Sequence, residues 1–282
     1  MRKAFVVGRP IRHSRSPLIH GHWLREHAVA GSYERIDVAP EGFAAFLRRF
    51  PEEDFIGGNV TIPHKEAAFR AVDHATERAR RLGAVNTLWV EGGRLHGDNT
   101  DELGFVASLD EAIGGAWERD IRTALVIGAG GAARAVAAGL LDRGVPRILI
   151  ANRTLARAAD VAALDPARME VLPWEAREGR LPAVDLVVNT TSLGMTGQPP
   201  LDLPLDALPP AAIFADIVYV PLETPLLAQA RRRGLRAVDG LGMLLHQAVP
   251  GFERWFGVRP MVTKALRDII VADIEGRNGA PQ

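Results

Sequence analysis

The run Gly128-Ala129-Gly130-Gly131-Ala132-Ala133-Arg134 constrains this chain more than any other stretch. Five residues of strand character, Thr123 to Ile127, lead into it, and an alanine-rich helical pattern ending near Gly144 comes after it. A strand that turns on glycines directly into a helix is what a dinucleotide-binding unit requires. Gly128 permits the tight turn, Gly130 lets the backbone approach a pyrophosphate, and small Ala133 keeps helix and strand close. The N–H groups at the helix start, with the positive end of the helix dipole, then receive phosphate. An ordinary glycine turn has the same spacing, so the next strand has to decide between the two.

That strand-like run, Arg147 to Ala151, ends in Asn152-Arg153-Thr154, with Arg157 one helical turn later. A site for NAD normally carries Asp or Glu here, bound to the ribose 2′-hydroxyl. An acid would repel a 2′-phosphate, whereas a guanidinium binds it through charge-assisted, often bidentate hydrogen bonds. Thr154 adds a hydroxyl donor. A solvated basic loop is the plain alternative, but at the end of this strand the pattern favours a 2′-phosphate and therefore NADP.

Length and charge narrow the rest. The 282 residues suit two modest domains. Lysine plus arginine and aspartate plus glutamate balance at 34 each, so no net field points to nucleic acid or an anionic membrane. With no cysteine, disulfides, thiol catalysis and thiolate-bound metal are excluded. The apolar run Ala4 to Val7 is too short for a signal-peptide core and reads as a first strand. No apolar stretch approaches the roughly 20 residues that span a bilayer. The expectation is a cytoplasmic protein, monomer or homodimer, whose partner is a small molecule rather than nucleic acid or membrane.

Strand-like and helical patterns alternate nearly throughout, which predicts an α/β protein with largely parallel sheets. Strands are expected near 3–7, 32–38, 55–60 and 85–90, with helices over 17–27, 41–49, 64–71 and 74–82. A helix from about Thr100 to Ile113 precedes the dinucleotide unit, whose later strands are placed at 185–189, 213–218 and 236–238. Two more helices are expected near 242–254 and 261–274, then a polar, frayed tail over 276–282.

Several short segments carry polar groups where strands end. Ser14-Arg15-Ser16-Pro17 sets two hydroxyls around a helix start, either as an ordinary N-cap or as a carboxylate receptor. Asn59-Val60-Thr61-Ile62-Pro63-His64-Lys65 turns sharply at Pro63; Lys65 is either a surface charge or a cation over a cleft, and His64 is a lesser acid–base candidate. Ala84-Val85-Asn86-Thr87 puts an amide inside an apolar strand. In Gly97-Asp98-Asn99-Thr100-Asp101, Asp101 is either a first-turn acid or the partner of a lysine. The eight histidines show no metal-binding spacing, so no metal is expected.

Taken together, these segments resemble the shikimate dehydrogenase family over nearly the whole chain. The likeness is carried by the segments just quoted, the glycine turn and Asn152-Arg153-Thr154. It continues through Asn189-Thr190-Thr191-Ser192-Leu193-Gly194-Met195, Asp216-Ile217-Val218-Tyr219 and Gly242-Met243-Leu244-Leu245-His246-Gln247-Ala248. The resemblance implies an oxidoreductase that reversibly reduces 3-dehydroshikimate to shikimate with NADPH, in aromatic amino acid biosynthesis.

It also implies roles by position. Ser14 and Ser16 would hold the substrate carboxylate. Thr61, Asn86, Asp101 and Gln247 would bind its hydroxyls, with Tyr219 lining the site, and Lys65 would be the catalytic acid–base, paired with Asp101. Gly128, Ala129, Gly130, Gly131, Ala132, Asn152, Arg153, Thr154, Arg157, Thr190 and Met243 would contact the cofactor.

The implied architecture is a discontinuous substrate domain, 1–103 plus 240–282, with a mostly parallel sheet, around a Rossmann-type NADP domain, 104–239. Its C-terminal helices would return so that Gln247 faces Lys65 across the interdomain cleft. Two positions depart from the family pattern: Glu102, expected to add negative charge near the pocket mouth, and His64, where an aromatic residue is common. A quinate or dual-specificity enzyme, possibly using NAD, and a non-catalytic ligand sensor are the competing readings.

Overall fold

The computed structural model describes residues 1–50 and 54–278. In chain order the first elements are β1 (Arg2–Gly8), α1 (Ser16–Glu26), β2 (Gly31–Asp37), α2 (Pro40–Arg49), β3 (Phe55–Val60), α3 (Lys65–Ala71), β4 (His74–Ala75), α4 (Glu77–Leu82), β5 (Thr87–Glu91) and β6 (Arg94–Asp98). Then come α5 (Asp101–Ile113), β7 (Thr123–Ile127), α6 (Gly131–Asp142), β8 (Arg147–Asn152), α7 (Leu155–Ala162), β9 (Met169–Pro173), α8 (Arg177–Arg180), β10 (Leu186–Asn189), β11 (Ile213–Asp216), α9 (Pro225–Arg232) and β12 (Arg236–Val238). The chain closes with α10 (Gly240–His246), α11 (Ala248–Phe256) and α12 (Lys264–Asn278).

These elements form two compact units, one of Met1–Thr100 with Gln247–Ile270, the other of Asp101–His246 with the described chain from Val271 on. The first is built on a six-stranded sheet ordered β2-β1-β3-β5-β6-β4. Here β1 runs parallel to β2 and β3, β6 runs parallel to β4, and β5 is antiparallel to both its neighbours. One face is filled by phenylalanines: Phe5 meets Phe46, Phe50 and Phe55 edge-on at 5.2, 5.1 and 5.3 Å. The other face is covered by α1 and α11, and Trp255 donates to the Leu88 carbonyl at 2.9 Å.

In the second unit six parallel strands take the order β12-β11-β10-β7-β8-β9. This is the doubly wound arrangement, with its reversal point between β7 and β10. Four of the five β7 residues, Ala124 to Ile127, are fully buried, as expected for a central parallel strand covered on both faces.

The expected α/β class and the doubly wound sheet match, while several local expectations need correction. Strand β6 is absent from the expected set; Gly92 and Gly93, at φ 59° and 74°, close a two-residue hairpin that makes β5 and β6 antiparallel. Edge strand β9 is absent from it too, being short and ending in a proline. The expected helix 74–82 is strand β4 followed by α4, whose start is set by the Thr76 hydroxyl accepting from the Ala79 N–H at 3.2 Å.

The helix expected over 242–254 breaks at Gln247, because Pro250 has no N–H to offer the His246 carbonyl. The two units also part there rather than at 239/240: α10 packs on α5 within the second unit, where a Cβ on Gly242 would meet the Ser108 side chain. The tail expected to fray from 276 is helical through Asn278, and 279–282 lie outside the described residues.

Candidate active site

The substrate-side candidates gather along one edge of the first sheet, where β1, β3 and β6 end and β5 begins. Ser14 and Ser16 come just after β1. Neither serves as an N-cap, since Arg15 holds that position and no side chain caps α1. Their hydroxyls lie 3.3 Å apart, and the Ser16 N–H points at the Ser14 Oγ at 3.3 Å. Exposed Arg35 on β2 clamps the loop from outside, donating from Nε and Nη2 to the Ser14 carbonyl at 3.0 and 2.6 Å. A guanidinium therefore fixes the backbone of the loop that carries the two hydroxyls. No sequence signal marked Arg35.

The β3 end supplies Thr61 and Lys65. The Thr61 N–H donates to the Val7 carbonyl at 2.9 Å, continuing the β1–β3 ladder into the turn. Lys65 opens α3, is partly buried, and accepts at its carbonyl from the Val85 N–H at 2.9 Å, which ties it to the Asn86 segment. His64 does not face a ligand. It is buried, stacked on Phe43 at 4.2 Å, with Nε2 donating to the Val38 carbonyl at 2.7 Å. It thus fills the aromatic position of the family pattern as an aromatic, and its lesser candidacy as acid–base falls away.

Asn86 is the hub of this edge. Its Oδ1 accepts from the Thr87 hydroxyl at 2.8 Å and the Thr100 N–H at 2.9 Å, with the Thr100 hydroxyl oxygen 3.2 Å away. Its Nδ2 points at Gln247 Oε1, 3.5 Å away, and the Gln247 carbonyl accepts from the Thr100 hydroxyl at 2.8 Å. Gln247 is therefore a member of the first unit, bonded to the Asn86 hub. With Oδ1 accepting from both Thr87 and Thr100, the Asn86 side chain has only donors, on Nδ2, left for further partners.

The second unit holds the remaining candidates. Asp101 is buried in the first turn of α5, next in the chain after Thr100. Glu102 is buried as well; its Cγ lies 3.3 Å from where a Cβ on Gly139 of α6 would stand, so its stem packs between helices instead of charging a pocket mouth.

The glycine turn has the geometry a pyrophosphate needs. Gly128 sits at φ 113°, which an L side chain rarely adopts, and its N–H donates to the Ala151 carbonyl at 2.8 Å. A Cβ on Gly130 or Gly131 would meet nothing within 4 Å, and α6 begins with no side-chain cap and no acid in its first turn. Open space over uncapped helix N–H groups fits a dinucleotide phosphate. Ala129 and Ala132 are half-buried in the same turn.

Thr190, at the end of β10, turns its hydroxyl to the Ile127 carbonyl at 2.7 Å and lies against Gly128, so it braces the turn. Asn152 donates to the Thr154 carbonyl at 2.9 Å, shaping the loop. Arg153, Thr154 and Arg157 are exposed, and neither guanidinium has a hydrogen bond or ion pair among the described residues. Two such cations where NAD sites carry an acid fit a 2′-phosphate. Met243 is half-buried against the apolar core below β11.

Asp216 ends β11 and joins two loops at that sheet edge. It accepts from Asn189 Nδ2 at 3.0 Å, the Val218 N–H at 3.0 Å and the Thr224 hydroxyl at 2.8 Å, which fixes the segment leading to half-buried Tyr219. Burial pushes its carboxyl up to about 6, against the pull of these bonds. A carboxylate closing an otherwise apolar strand is the signal that could have marked it. Among the described residues no cluster of potential metal ligands occurs, and no helix is long and apolar enough to cross a membrane.

Comparison with known proteins bears on these observations. Family profiles match the chain at residues 6–88 (shikimate dehydrogenase substrate binding domain), 114–195 (shikimate / quinate 5-dehydrogenase) and 240–267 (shikimate 5′-dehydrogenase C-terminal domain). A shikimate dehydrogenase (NADP(+)) of Methylobacterium radiotolerans is 64% identical over 276 residues, covering 97% of this chain and 98% of that protein. One of Azorhizobium caulinodans is 57% identical, covering 99% and 100%. Among solved structures, Thermus thermophilus shikimate 5-dehydrogenase in complex with NADP(H) and shikimate superposes with a TM-score of 0.86 at 34% identity, covering 97% of this chain and 100% of that one. Quinate dehydrogenase of Corynebacterium glutamicum with NAD gives 0.88 at 30% identity, covering 96% and 98%. The chain belongs to the shikimate dehydrogenase family.

Proposed function

We propose that this protein is an NADP-dependent oxidoreductase that reversibly reduces 3-dehydroshikimate to shikimate in aromatic amino acid biosynthesis. The observation that carries the reading is the gathering of Ser14, Ser16, Thr61, Lys65, Asn86 and Gln247 along one sheet edge of the first unit. These residue types match the chemistry of a small polyhydroxy acid: paired hydroxyls for the carboxylate, and amides and a threonine for the ring hydroxyls.

NADPH, when bound, supplies the hydride. As negative charge grows on the carbonyl oxygen, Lys65 stabilises it and delivers the proton from Nζ, with Asp101 as the carboxylate that orients the ammonium. In the oxidative direction Lys65 takes the proton from the substrate hydroxyl. Tyr219 lines the site. Arg153 and Arg157 hold the 2′-phosphate, and the open N-terminus of α6 holds the pyrophosphate. The reading includes action as a monomer or homodimer in the cytoplasm, where NADPH serves as biosynthetic reductant.

The test is absorbance at 340 nm with shikimate and quinate offered separately, each with NADP and with NAD. The reading expects reduction of NADP with shikimate and little with the other three pairs. Comparable rates with quinate or NAD would move the protein to the dual-specificity branch, and no turnover in any pair would contradict an enzymatic role.

A further inference from the structure

The first unit carries a buried polar chain that includes a residue with no assigned part in the reaction, Tyr33, whose hydroxyl also meets the Ser16 side chain. Its ring lies across β1, and the register shows why it can. Tyr33 on β2 pairs with Ala4, Ala4 pairs with Gly57 on β3, and Asn59 stands two residues further along the same face. Small Ala4 leaves room for the tyrosine to reach the third strand, where the Trp255 indole fills the space over Gly57. The ring is held by His20, stacked 4.0 Å away at 13°, and by Trp255 at 6.0 Å. Its hydroxyl donates to Asn59 Oδ1 at 2.6 Å.

That bond agrees in direction with the rest of the chain of groups. With Oδ1 engaged by Tyr33, the Asn59 Nδ2 faces the Asn86 carbonyl at 3.0 Å and the Thr87 hydroxyl oxygen at 3.4 Å. The Thr87 hydroxyl, accepting from Asn59, turns its own proton to Asn86 Oδ1 at 2.8 Å. Two backbone groups hold the same direction, the Asn86 carbonyl accepting from Asn59 and the Thr100 N–H donating to Asn86 Oδ1, and the Tyr33 and Thr87 hydroxyls add to it. The direction of the chain therefore runs from Tyr33 to the Asn86 carboxamide. Asn59, Asn86 and Thr87 are 6%, 2% and 3% exposed, so no bulk water stands in for a missing partner.

We infer that Tyr33 is a positioning residue of the substrate site: through Asn59 and Thr87 its hydroxyl reinforces the orientation of the Asn86 carboxamide that the Thr100 N–H also holds. The inference rests on the proposed role of Asn86 as a substrate ligand. Burial raises the Tyr33 phenol well above its ordinary value, which keeps the proton on oxygen and the hydroxyl a donor.

Tyr33→Phe removes one oxygen and keeps the ring on His20. Two readouts separate this inference from the functional reading. In the ligand-free protein, the Asn86 side-chain amide gives one sharp pair of NMR signals in the wild type and a doubled or broadened pair in the variant. In steady-state kinetics, KM for shikimate rises about tenfold while KM for NADP stays within twofold, as expected when one buried amide loses its orienting bond. Thr87→Val cuts the same chain nearer Asn86 and shows the same split, which carries the test should Tyr33→Phe fail to fold. Unchanged amide signals overturn the inference even in an inactive protein, and so does a parallel rise of both KM values in an active one.

Discussion

The candidate sites of the two units are built by different means. In the first, side chains form the site: Tyr33, Asn59, Asn86, Thr87 and Thr100 make a buried hydrogen-bonded set, and every member adds to its orientation. In the second, the backbone forms it: an apolar parallel sheet delivers a turn whose open N–H groups need only that nothing fill the space over Gly130 and Gly131. Buried polar sets specify a geometry but are sensitive to the loss of any one group, whereas a helix start on a packed sheet tolerates change in most neighbours. A small ligand dense in hydroxyls matches the first kind of site, and a phosphate matches the second.

The largest expected effect strikes the first unit alone. Lys65→Ala lowers kcat by about 10²–10⁴ with a smaller change in KM for shikimate, because proton delivery is lost. Stopped-flow measurement of hydride transfer checks this, and near-wild-type turnover would remove Lys65 from the chemistry.

Acid separates the units next, because their buried titratable groups respond in opposite directions. His20 in the first unit is held at about 3 by burial, below its ordinary 6.5. It binds its proton less well folded than unfolded, so its contribution is complete above 6.5 and is lost as pH falls toward about 3. Asp216 in the second is raised to about 6 from 3.8. It binds its proton more tightly folded, so its contribution is complete below 3.8 and is lost as pH rises through about 6. Between pH 6 and 4 the first unit loosens while the second tightens, with limits on the order of 5 kcal/mol for His20 and 3 kcal/mol for Asp216. Hydrogen exchange at pH 7 and 4.5, resolved by segment, should show faster exchange in β1–β3 and unchanged or slower exchange in β10–β11. The reverse order would break the comparison. His20→Phe should flatten the acid loss in the first unit.

Arg153→Ala comes third, raising KM for NADP about 10- to 100-fold while leaving KM for NAD nearly unchanged, since a charge-assisted contact to the 2′-phosphate is removed. Equal losses with both cofactors would refute recognition of that phosphate. The smallest effect expected is that of Arg35→Gln, which releases the Ser14 carbonyl: KM for shikimate rises about three- to tenfold. A shikimate titration that shows no change would confine Arg35 to the surface.

The contrast also explains what could be read from the chain. The glycine turn, the strands around it and Asn152-Arg153 are local in sequence, so spacing alone pointed to the doubly wound sheet and its phosphate end. The first site is assembled from residues 14–16, 59–65, 86–87, 100 and 247, which only the fold brings together, and the resemblance to a family was needed to connect them. Tyr33 and Arg35 lay beyond both routes, because their roles depend on strand order β2-β1-β3 and on small Ala4 between. The helix break at Gln247 was legible in Pro250, but the apolar pattern running through 242–254 concealed it. Strands β6 (Arg-Leu-His-Gly-Asp) and β9 (Met-Glu-Val-Leu-Pro) carry no unbroken apolar run of the kind that marks β1 and β7.

One measurement tests the division of labour most directly: calorimetric titration of NADP and of shikimate, each alone, into the wild type and two variants. Gly131→Val puts a side chain into the open space over the start of α6, where an added Cβ touches nothing. Ser16→Ala removes a hydroxyl from the first unit. The account predicts that Gly131→Val abolishes NADP binding and leaves shikimate binding intact, while Ser16→Ala weakens shikimate and spares NADP. Either variant weakening both ligands alike would contradict it.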